Sequence, residues 1–204
     1  YRDIVSRQPK RTVADDDWYN TPVPQQGSPG LHFGPPENLG SLINTSYNDS
    51  GPCISTDGLT LYFASNRLGG ESWDIWYAIR AATGDPWGEP VNLGAPVNTA
   101  SDDVVPSLSA DGLSLYFASN RPGGYGNMDL WVAERASVSD PWGEPENLGP
   151  TVNSSVWECR PSISADGLSL FFGSNHDKIG TAYSGAVYIY VTTRPTRSDP
   201  WSTP

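Results

Sequence analysis

The chain has 204 residues and a formal net charge of −11, which argues against nucleic acid and anionic membranes as partners. Its 21 Gly and 19 Pro, together with 8 Trp and 10 Tyr, favour a β-rich, turn-rich protein over a helical one. No apolar run reaches the roughly 18 residues of a membrane-spanning helix, so we predict no membrane span.

Residues 1–32 mix basic residues, an acidic run and several prolines, which predicts an N-terminal arm and linker. YRDIVS at 1–6 is consistent with a short strand. TPVPQQGSPG at 21–30 indicates an extended linker, because proline disfavours both helix and central strand. We interpret Asp15–Asp17 as a solvated loop, and a set of calcium ligands is the alternative. The start at Tyr1, without a signal-like segment, predicts a processed N terminus.

From Phe33 onward the sequence is periodic. A motif such as Trp-Gly-Glu-Pro recurs about every 55 residues, followed by Asn-Leu-Gly and by Asn-Thr or Asn-Ser. A period of this length, with four short strands in each unit, is typical of a β-propeller. The predicted domain is 33–204, and its predicted repeats are 33–86, 87–141 and 142–204.

The best-defined element is Asp111–Arg135, DGLSLYFASNRPGGYGNMDLWVAER. Its first half has the two-residue period of a strand, and Asp111-Gly112 is a tight-turn signal before it. Pro122-Gly123-Gly124 is predicted to turn the chain into the next strand, 128–134. Similar stretches lie at 57–80 and 166–194. Because the Leu, Phe and Trp residues recur, we interpret them as packing residues of a blade.

Two arginines each precede an aspartate by seven or eight residues, Arg67 with Asp74 and Arg121 with Asp129. We predict that each pair forms a bidentate ion pair across its hairpin. The third copy has His176 in place of the arginine, and it also lacks the aspartate. This joint loss supports the pairing.

An acidic residue stands three places before a proline in each repeat, at Asp49, Asp103 and Glu158. Symmetric recurrence predicts a structural role at the start of a blade, with each carboxylate accepting hydrogen bonds from backbone N–H groups. The alternative is a carboxylate pair of a glycosidase-like hydrolase, which the recurrence disfavours.

The shared pattern is acid-x-x-P, then S-x-D-G-L-x-L-[YF]-F-x-S-N-R-x-G-G, then D-[IL]-W. It resembles the WD40-like repeat of TolB-type β-propellers. The resemblance covers Phe33–Pro204, and the third copy departs from it after Asn175. It implies a propeller fold and a secreted, periplasmic or cell-surface location, and it brings no catalytic group with it.

We therefore predict an all-β fold, a β-propeller with about three four-stranded blades per chain. Phe33–Gly40 corresponds to the outer strand of a blade that has no other strands, and the last repeat lacks that strand beyond Pro204. Strand exchange would close a three-bladed ring within one chain, a six-bladed ring from two chains, or an open filament. A piece of a longer propeller is the other alternative. The predicted assembly strand comprises Phe33, Pro36, Asn38, Leu39 and Trp201.

The two histidines, His32 and His176, occupy unrelated positions, and no nucleophile, metal or phosphate motif is present. We predict a non-enzymatic extracellular module without metal or cofactor, which acts by protein–protein contact and assembles with copies of itself. The alternative is a carbohydrate-binding module of a surface protein, with a glycan or another surface protein as partner. Residues that depart from the repeat are the binding candidates: Tyr47, Asp102, Tyr125, Trp157, Glu158, Arg160 and His176.

The two cysteines, Cys53 and Cys159, occupy different positions in their repeats. This favours two free thiols that pack as small apolar groups. A single disulfide is the alternative.

Overall fold

A computed structural model describes residues 34–70, 72–176 and 183–204. The predicted strand at 1–6, the acidic run, His32 and Phe33 lie outside these residues. The described chain is all-β and contains no helix, so no helix there has the length and hydropathy to cross a membrane. Its strands are β1 (Asp49–Ile54), β2 (Thr60–Ser65), β3 (Asp74–Ile79), β4 (Val91–Asn92), β5 (Asp103–Leu108), β6 (Ser114–Ser119), β7 (Asp129–Glu134), β8 (Glu146–Asn147), β9 (Glu158–Ile163), β10 (Ser169–His176) and β11 (Tyr183–Thr193).

The strands form three antiparallel sheets that follow one another along the chain. Blade 1 has the order β1-β2-β3-β4, blade 2 has the order β5-β6-β7-β8, and blade 3 has the order β9-β10-β11. Consecutive blades contact each other through their first strands, β1 with β5 and β5 with β9. The predicted four strands are therefore present in blades 1 and 2, and the described part of blade 3 has three.

Each Asp-Gly turn joins the first two strands of a blade, as predicted. In blade 1 the carboxylate of Asp57 accepts hydrogen bonds from the Ser55 hydroxyl at 2.6 Å and the Leu59 N–H at 2.9 Å. Gly58 has a φ of 74°, a conformation that is unfavourable for residues with a Cβ. Asp111 and Asp166 make the same bonds in blades 2 and 3.

The second strands of blades 1 and 2 are buried on both of their faces. In β6 every residue from Leu115 to Ser119 is buried. Leu115 and Phe117 pack with Tyr62 of blade 1, whereas Tyr116 packs with Leu170 of blade 3. Burial of each such large apolar side chain contributes roughly 1.5–3 kcal/mol. The interfaces between consecutive blades, called joints below, therefore contain the hydrophobic core.

Candidate functional site

The acid that opens each blade binds the loop before it. Its carboxylate accepts a backbone N–H four residues earlier, at 2.7 Å in blades 1 and 2 and at 2.9 Å in blade 3. The predicted role as an acceptor of backbone hydrogen bonds is therefore confirmed. The three pairs are Thr45 with Asp49, Thr99 with Asp103 and Ser154 with Glu158.

The two arginines bind these opening acids, and the predicted pairing across the hairpin is wrong. Arg67 Nη2 lies 2.8 Å from Asp49 Oδ1, and Arg121 Nη2 lies 2.5 Å from Asp103 Oδ1. Ser119 is in register with Asp103 on one side and Asp129 on the other, so spacing alone did not discriminate between them.

Carbonyl groups of the entry loop use the other donors of each guanidinium. Arg67 donates to the carbonyl oxygens of Leu42 at 3.0 Å and Ile43 at 2.7 Å. Arg121 likewise donates to the carbonyl oxygens of Pro96 and Val97. These acceptors lie beside the first strand, and they match the planar fork of an arginine.

Aromatic rings line the sides of the same arginines. The Arg67 guanidinium carbon lies 4.8 Å from the centre of the Phe63 ring and 5.0 Å from that of Trp76. In blade 2 the corresponding distances from Arg121 to Phe117 and Trp131 are 5.0 and 5.2 Å. The two arginine side chains are only 11% and 8% exposed. Blades 1 and 2 thus each build a closed arginine site from an acid, loop carbonyls and two rings.

The aspartates of the third strands have other partners. Asp74 accepts a hydrogen bond from the Asn92 side chain at 2.9 Å, and Asp129 accepts one from the Asn147 side chain at 2.8 Å. These asparagines belong to the Asn-Leu-Gly motif. The motif therefore ties the outer strand of a blade to its third strand.

An asparagine joins each blade to the next. Asn98 accepts the Ile75 N–H at 2.9 Å and donates to the Ile75 carbonyl at 2.8 Å. Asn153 makes the same two bonds with Leu130, at 2.8 and 3.0 Å. Asn44 has the same position in its repeat, before blade 1, but its side chain is exposed. The loop before blade 1 thus carries the asparagine half of such a joint.

Blade 3 carries the other half of such a joint, the third strand whose backbone an asparagine would bind. By strand register Ile189 corresponds to Ile75 and Leu130. Ile75 and Leu130 are fully buried, whereas Ile189 is 85% exposed. Val187 and Val191 on the same strand are exposed as well. This face of blade 3 is therefore an open, apolar blade surface.

The first strands share a position of positive φ that the sequence did not reveal. Gly51, Val105 and Arg160 have φ values of 60°, 51° and 57°. Each precedes a proline, and the pairing register of β1 and β5 shifts there. For a β-branched residue such as Val105 this conformation costs about 1–3 kcal/mol. The acid-x-x-Pro spacing was the available signal, because the strained residue is the one before proline.

Three predicted binding residues lie on the loops that enter the first strands. Tyr47 is half-exposed, next to Gly69 of the β2–β3 hairpin. Asp102 accepts the Trp73 N–H at 3.0 Å and thereby contributes to the joint between blades 1 and 2. Trp157 packs against the core between blades 2 and 3.

The other predicted binding residues are spread over blades 2 and 3. Tyr125 is half-exposed in the β6–β7 hairpin, and its N–H donates to Asp129. Arg160 is exposed, whereas Glu158 is buried and lines a cavity of about 540 Å³. His176 is the last residue of β10. Binding by these residues stays a prediction.

The predicted assembly strand is not a strand in the described residues. Gly34–Gly40 has no strand, and closure by strand exchange stays a prediction. Pro36 is exposed, Leu39 is exposed, and Asn38 accepts the Gly40 N–H at 2.8 Å. Trp201 packs within the chain, and the centre of its ring lies 4.3 Å from the guanidinium carbon of Arg194.

Both cysteines are free thiols, as the sequence favoured. Cys53 Sγ accepts the Leu108 N–H at 3.2 Å across the joint between blades 1 and 2. Burial raises the pKa of Cys159 to about 11, so this thiol is protonated at neutral pH. In the part of the chain that the structure describes, no three His, Cys, Asp or Glu side chains are grouped as metal ligands.

Acidic pH is expected to destabilise the blades. Burial of Asp49 tends to raise its pKa, but hydrogen bonds from Ser65, Thr45 and Arg67 outweigh burial and hold the pKa below the usual 3.8. A carboxyl with a lowered folded pKa stabilises the fold above its unfolded pKa, and this contribution is lost as the pH falls through the folded value. Urea unfolding should therefore show a loss of stability below about pH 4 that Asp49→Asn reduces. An equally steep loss in Asp49→Asn would contradict this origin.

The repeated sheets, joined through their first strands, define a β-propeller module. Comparison with solved structures specifies the kind of propeller. The putative TolB from Agrobacterium tumefaciens matches with a TM-score of 0.50 at 17% identity, over 74% of this chain and 47% of that chain. The protein therefore has a TolB-like β-propeller fold.

Further solved structures give similar matches. TolB from Acinetobacter baumannii matches with a TM-score of 0.49 at 16% identity, over 77% of this chain and 32% of that chain. An α-L-arabinofuranosidase from Lactobacillus brevis matches with a TM-score of 0.49 at 18% identity, over 76% of this chain and 54% of that chain. The chain thus spans about a third to a half of the length of these structures. No family model matches the chain, and no curated protein matches it.

Proposed function

We propose that this protein is a non-catalytic propeller module that acts by protein–protein contact and associates head to tail with copies of itself. The observation that carries the proposal is the pair of open half-joints. Asn44 on blade 1 is exposed, and so is Ile189 on blade 3. The chain builds the complete form of this joint twice, with Asn98 on Ile75 and with Asn153 on Leu130.

A second set of groups is complementary in the same sense. Between blades 1 and 2 the Leu108 N–H donates to Cys53 Sγ, and between blades 2 and 3 the Ile163 N–H donates to the Ser107 hydroxyl at 3.1 Å. By register the next acceptor is the hydroxyl of Ser162, which is exposed on blade 3. The matching donor is the N–H of Ile54 on blade 1 of another copy. The two open surfaces therefore agree at more than one contact.

An arginine and an aromatic ring form a third match. Arg194 of blade 3 donates to the Tyr116 hydroxyl of blade 2 at 3.4 Å. The residue that corresponds to Tyr116 on the open face of blade 3 is Phe171, which is 46% exposed. The residue that corresponds to Arg194 in blade 1 is Arg80. In a head-to-tail contact Arg80 of one copy would face Phe171 of the next, where a cation–π contact is favourable.

The apolar surface gives the driving force for this contact. Val187, Ile189 and Val191 present branched apolar side chains to solvent along one strand. Removing each such side chain from water contributes up to roughly 1.5–3 kcal/mol. An exposed sheet surface of this kind favours association.

We also propose a secreted, periplasmic or cell-surface location for the module. The TolB-like fold and the net charge of −11 support this location. Fractionation of cells that express the full-length natural protein tests it, and recovery in the cytoplasm alone would overturn it.

The test of head-to-tail association is the effect of Ile189→Asp on molecular mass. Light scattering of the unsubstituted chain should show a mass above that of the 22.0 kDa monomer. Ile189→Asp should return the protein to monomer, because it places a charge in an apolar joint. Leu68→Asp is the matched control, since Leu68 is exposed in a hairpin outside the joint. A monomer at every concentration would overturn the proposal.

Mixing two defective proteins tests the polarity of the contact. Asn44→Asp damages the blade 1 half of the joint, and Ile189→Asp damages the blade 3 half. In a mixture one intact joint remains, so the mixture should form dimers and nothing larger. A closed two-chain ring would give a fixed mass for the unsubstituted protein, whereas a filament would grow with concentration. A mixture that stays monomeric would exclude a head-to-tail contact.

A further inference from the structure

Blade 3 repeats the arginine site of blades 1 and 2, although its sequence has no arginine at the corresponding position. Ser65-Asn66-Arg67 and Ser119-Asn120-Arg121 become Ser174-Asn175-His176. We propose that the blade 3 site binds the guanidinium group of an arginine side chain that belongs to a partner protein. The proposal does not depend on self-association.

The acid of the site is present in blade 3, where Glu158 stands at the position of Asp49 and Asp103. Glu158 is 1% exposed, and its Oε1 atom accepts hydrogen bonds from the hydroxyl groups of Ser174 at 2.9 Å and Ser154 at 2.6 Å. Its Oε2 atom accepts the Ser154 N–H at 2.9 Å. The corresponding Asp103 has an arginine as its ion-pair partner, whereas the ion pairs of the described residues include none with Glu158. A buried carboxylate of this kind gains most from a cation that also donates hydrogen bonds.

The aromatic walls of the site are present as well. By register Phe172 and Tyr190 correspond to Phe117 and Trp131, the two rings beside Arg121. The Phe172 and Tyr190 rings are stacked, with centres 5.9 Å apart and planes inclined by 22°. A planar guanidinium binds favourably against the face of such a ring.

One cavity is lined by the residues of blade 3 that correspond to the neighbours of Arg121 in blade 2. Its volume is about 540 Å³, and its lining includes Glu158, Ser174, Phe172 and Tyr190. Thr151 and Val152 also line it, at the positions of the residues whose carbonyl oxygens bind Arg121 in blade 2.

The chemistry of the site selects arginine over lysine. A carboxylate, two positions that supply carbonyl acceptors in blade 2, and flat aromatic walls suit the planar five-donor fork of a guanidinium. An ammonium group is compact and cannot stack in the same way. Citrulline has the shape of arginine without the charge, so it separates the two contributions.

The experiment is a titration of the full chain with N-acetyl-arginine methylamide, followed by NMR at the Ser154 N–H, which donates to Glu158. We expect a saturable shift, and at least about tenfold weaker binding of the lysine and citrulline analogues. Glu158→Gln should weaken arginine binding by about tenfold or more, because it removes the charge. Glu146→Gln is the matched control, since Glu146 is an exposed acid that does not line this cavity. This variant should bind the arginine analogue with the affinity of the unsubstituted protein.

His176→Arg keeps the proposal testable if Glu158→Gln fails to fold. This substitution restores the residue that the sister blades have, so the protein should supply its own guanidinium. We expect loss of binding of the added arginine analogue and a rise in Tm of about 2–4 °C. Equal binding of the arginine and citrulline analogues, no binding of either, or undiminished binding by His176→Arg would overturn the proposal.

Discussion

Asp103→Ala is expected to lower the free energy of unfolding by about 3–5 kcal/mol. Asp103 is fully buried, and the Arg121 side chain is only 8% exposed. Removal of the Asp103 carboxylate leaves the Arg121 guanidinium without a counter-charge. The substitution also removes the acceptor of the Thr99 N–H. A buried charge without a partner is far more costly than the intact pair is stabilising.

Urea unfolding at neutral pH measures this loss. Asp140→Ala is the control, because Asp140 is an exposed acid and should change the free energy of unfolding by less than about 0.5 kcal/mol. Adding Arg121→Met to Asp103→Ala should recover part of the stability, since the unpaired charge disappears. A loss below about 1 kcal/mol for Asp103→Ala would show that the pair is not essential to the blade.

Asn98→Ala is expected to cost about 2–4 kcal/mol. The Asn98 side chain satisfies both the N–H and the carbonyl of Ile75 inside the joint between blades 1 and 2. Its removal leaves two buried backbone groups without partners, and each costs about 1–3 kcal/mol. The joint opens more easily as a result.

The chain contains its own control for this substitution. Asn44 occupies the same repeat position but is exposed, so Asn44→Ala should change the stability of the monomer by less than about 0.5 kcal/mol. The comparison is made by urea unfolding at concentrations below those of any self-association. Equal losses for Asn98→Ala and Asn44→Ala would contradict the role of asparagine as a link between blades.

The arginine sites show where sequence reasoning reached its limit. The prediction named the two arginines, and it recognised the opening acids as structural acceptors. It paired Arg121 with Asp129, because both flank the same hairpin in sequence. In the structure Asp103 and Asp129 are both in register with Ser119, and loop carbonyls at Pro96 and Val97 draw the guanidinium to Asp103. Those carbonyls have no signature in the sequence, since every residue has one.

The linking asparagines were visible as a recurring Asn-Thr or Asn-Ser, but their role was not predictable. Asn98 binds a residue of the preceding blade, Ile75, and that contact exists only once two sheets have packed together. The difference in exposure between Ile75 and Ile189 was not predictable for the same reason. Both are apolar residues of a third strand, yet one is buried and the other is 85% exposed.

The sequence by itself determined the units of this protein: the repeat, its strands, the Asp-Gly turns and hence an all-β propeller fold. These features are local, because strand periodicity and turn preference depend on neighbouring residues. Only the tertiary structure decided which acid binds each arginine, which asparagine links two blades, and which joints remain open. Those outcomes depend on how whole sheets stack, and stacking brings together groups that lie about 20 to 55 residues apart in the chain.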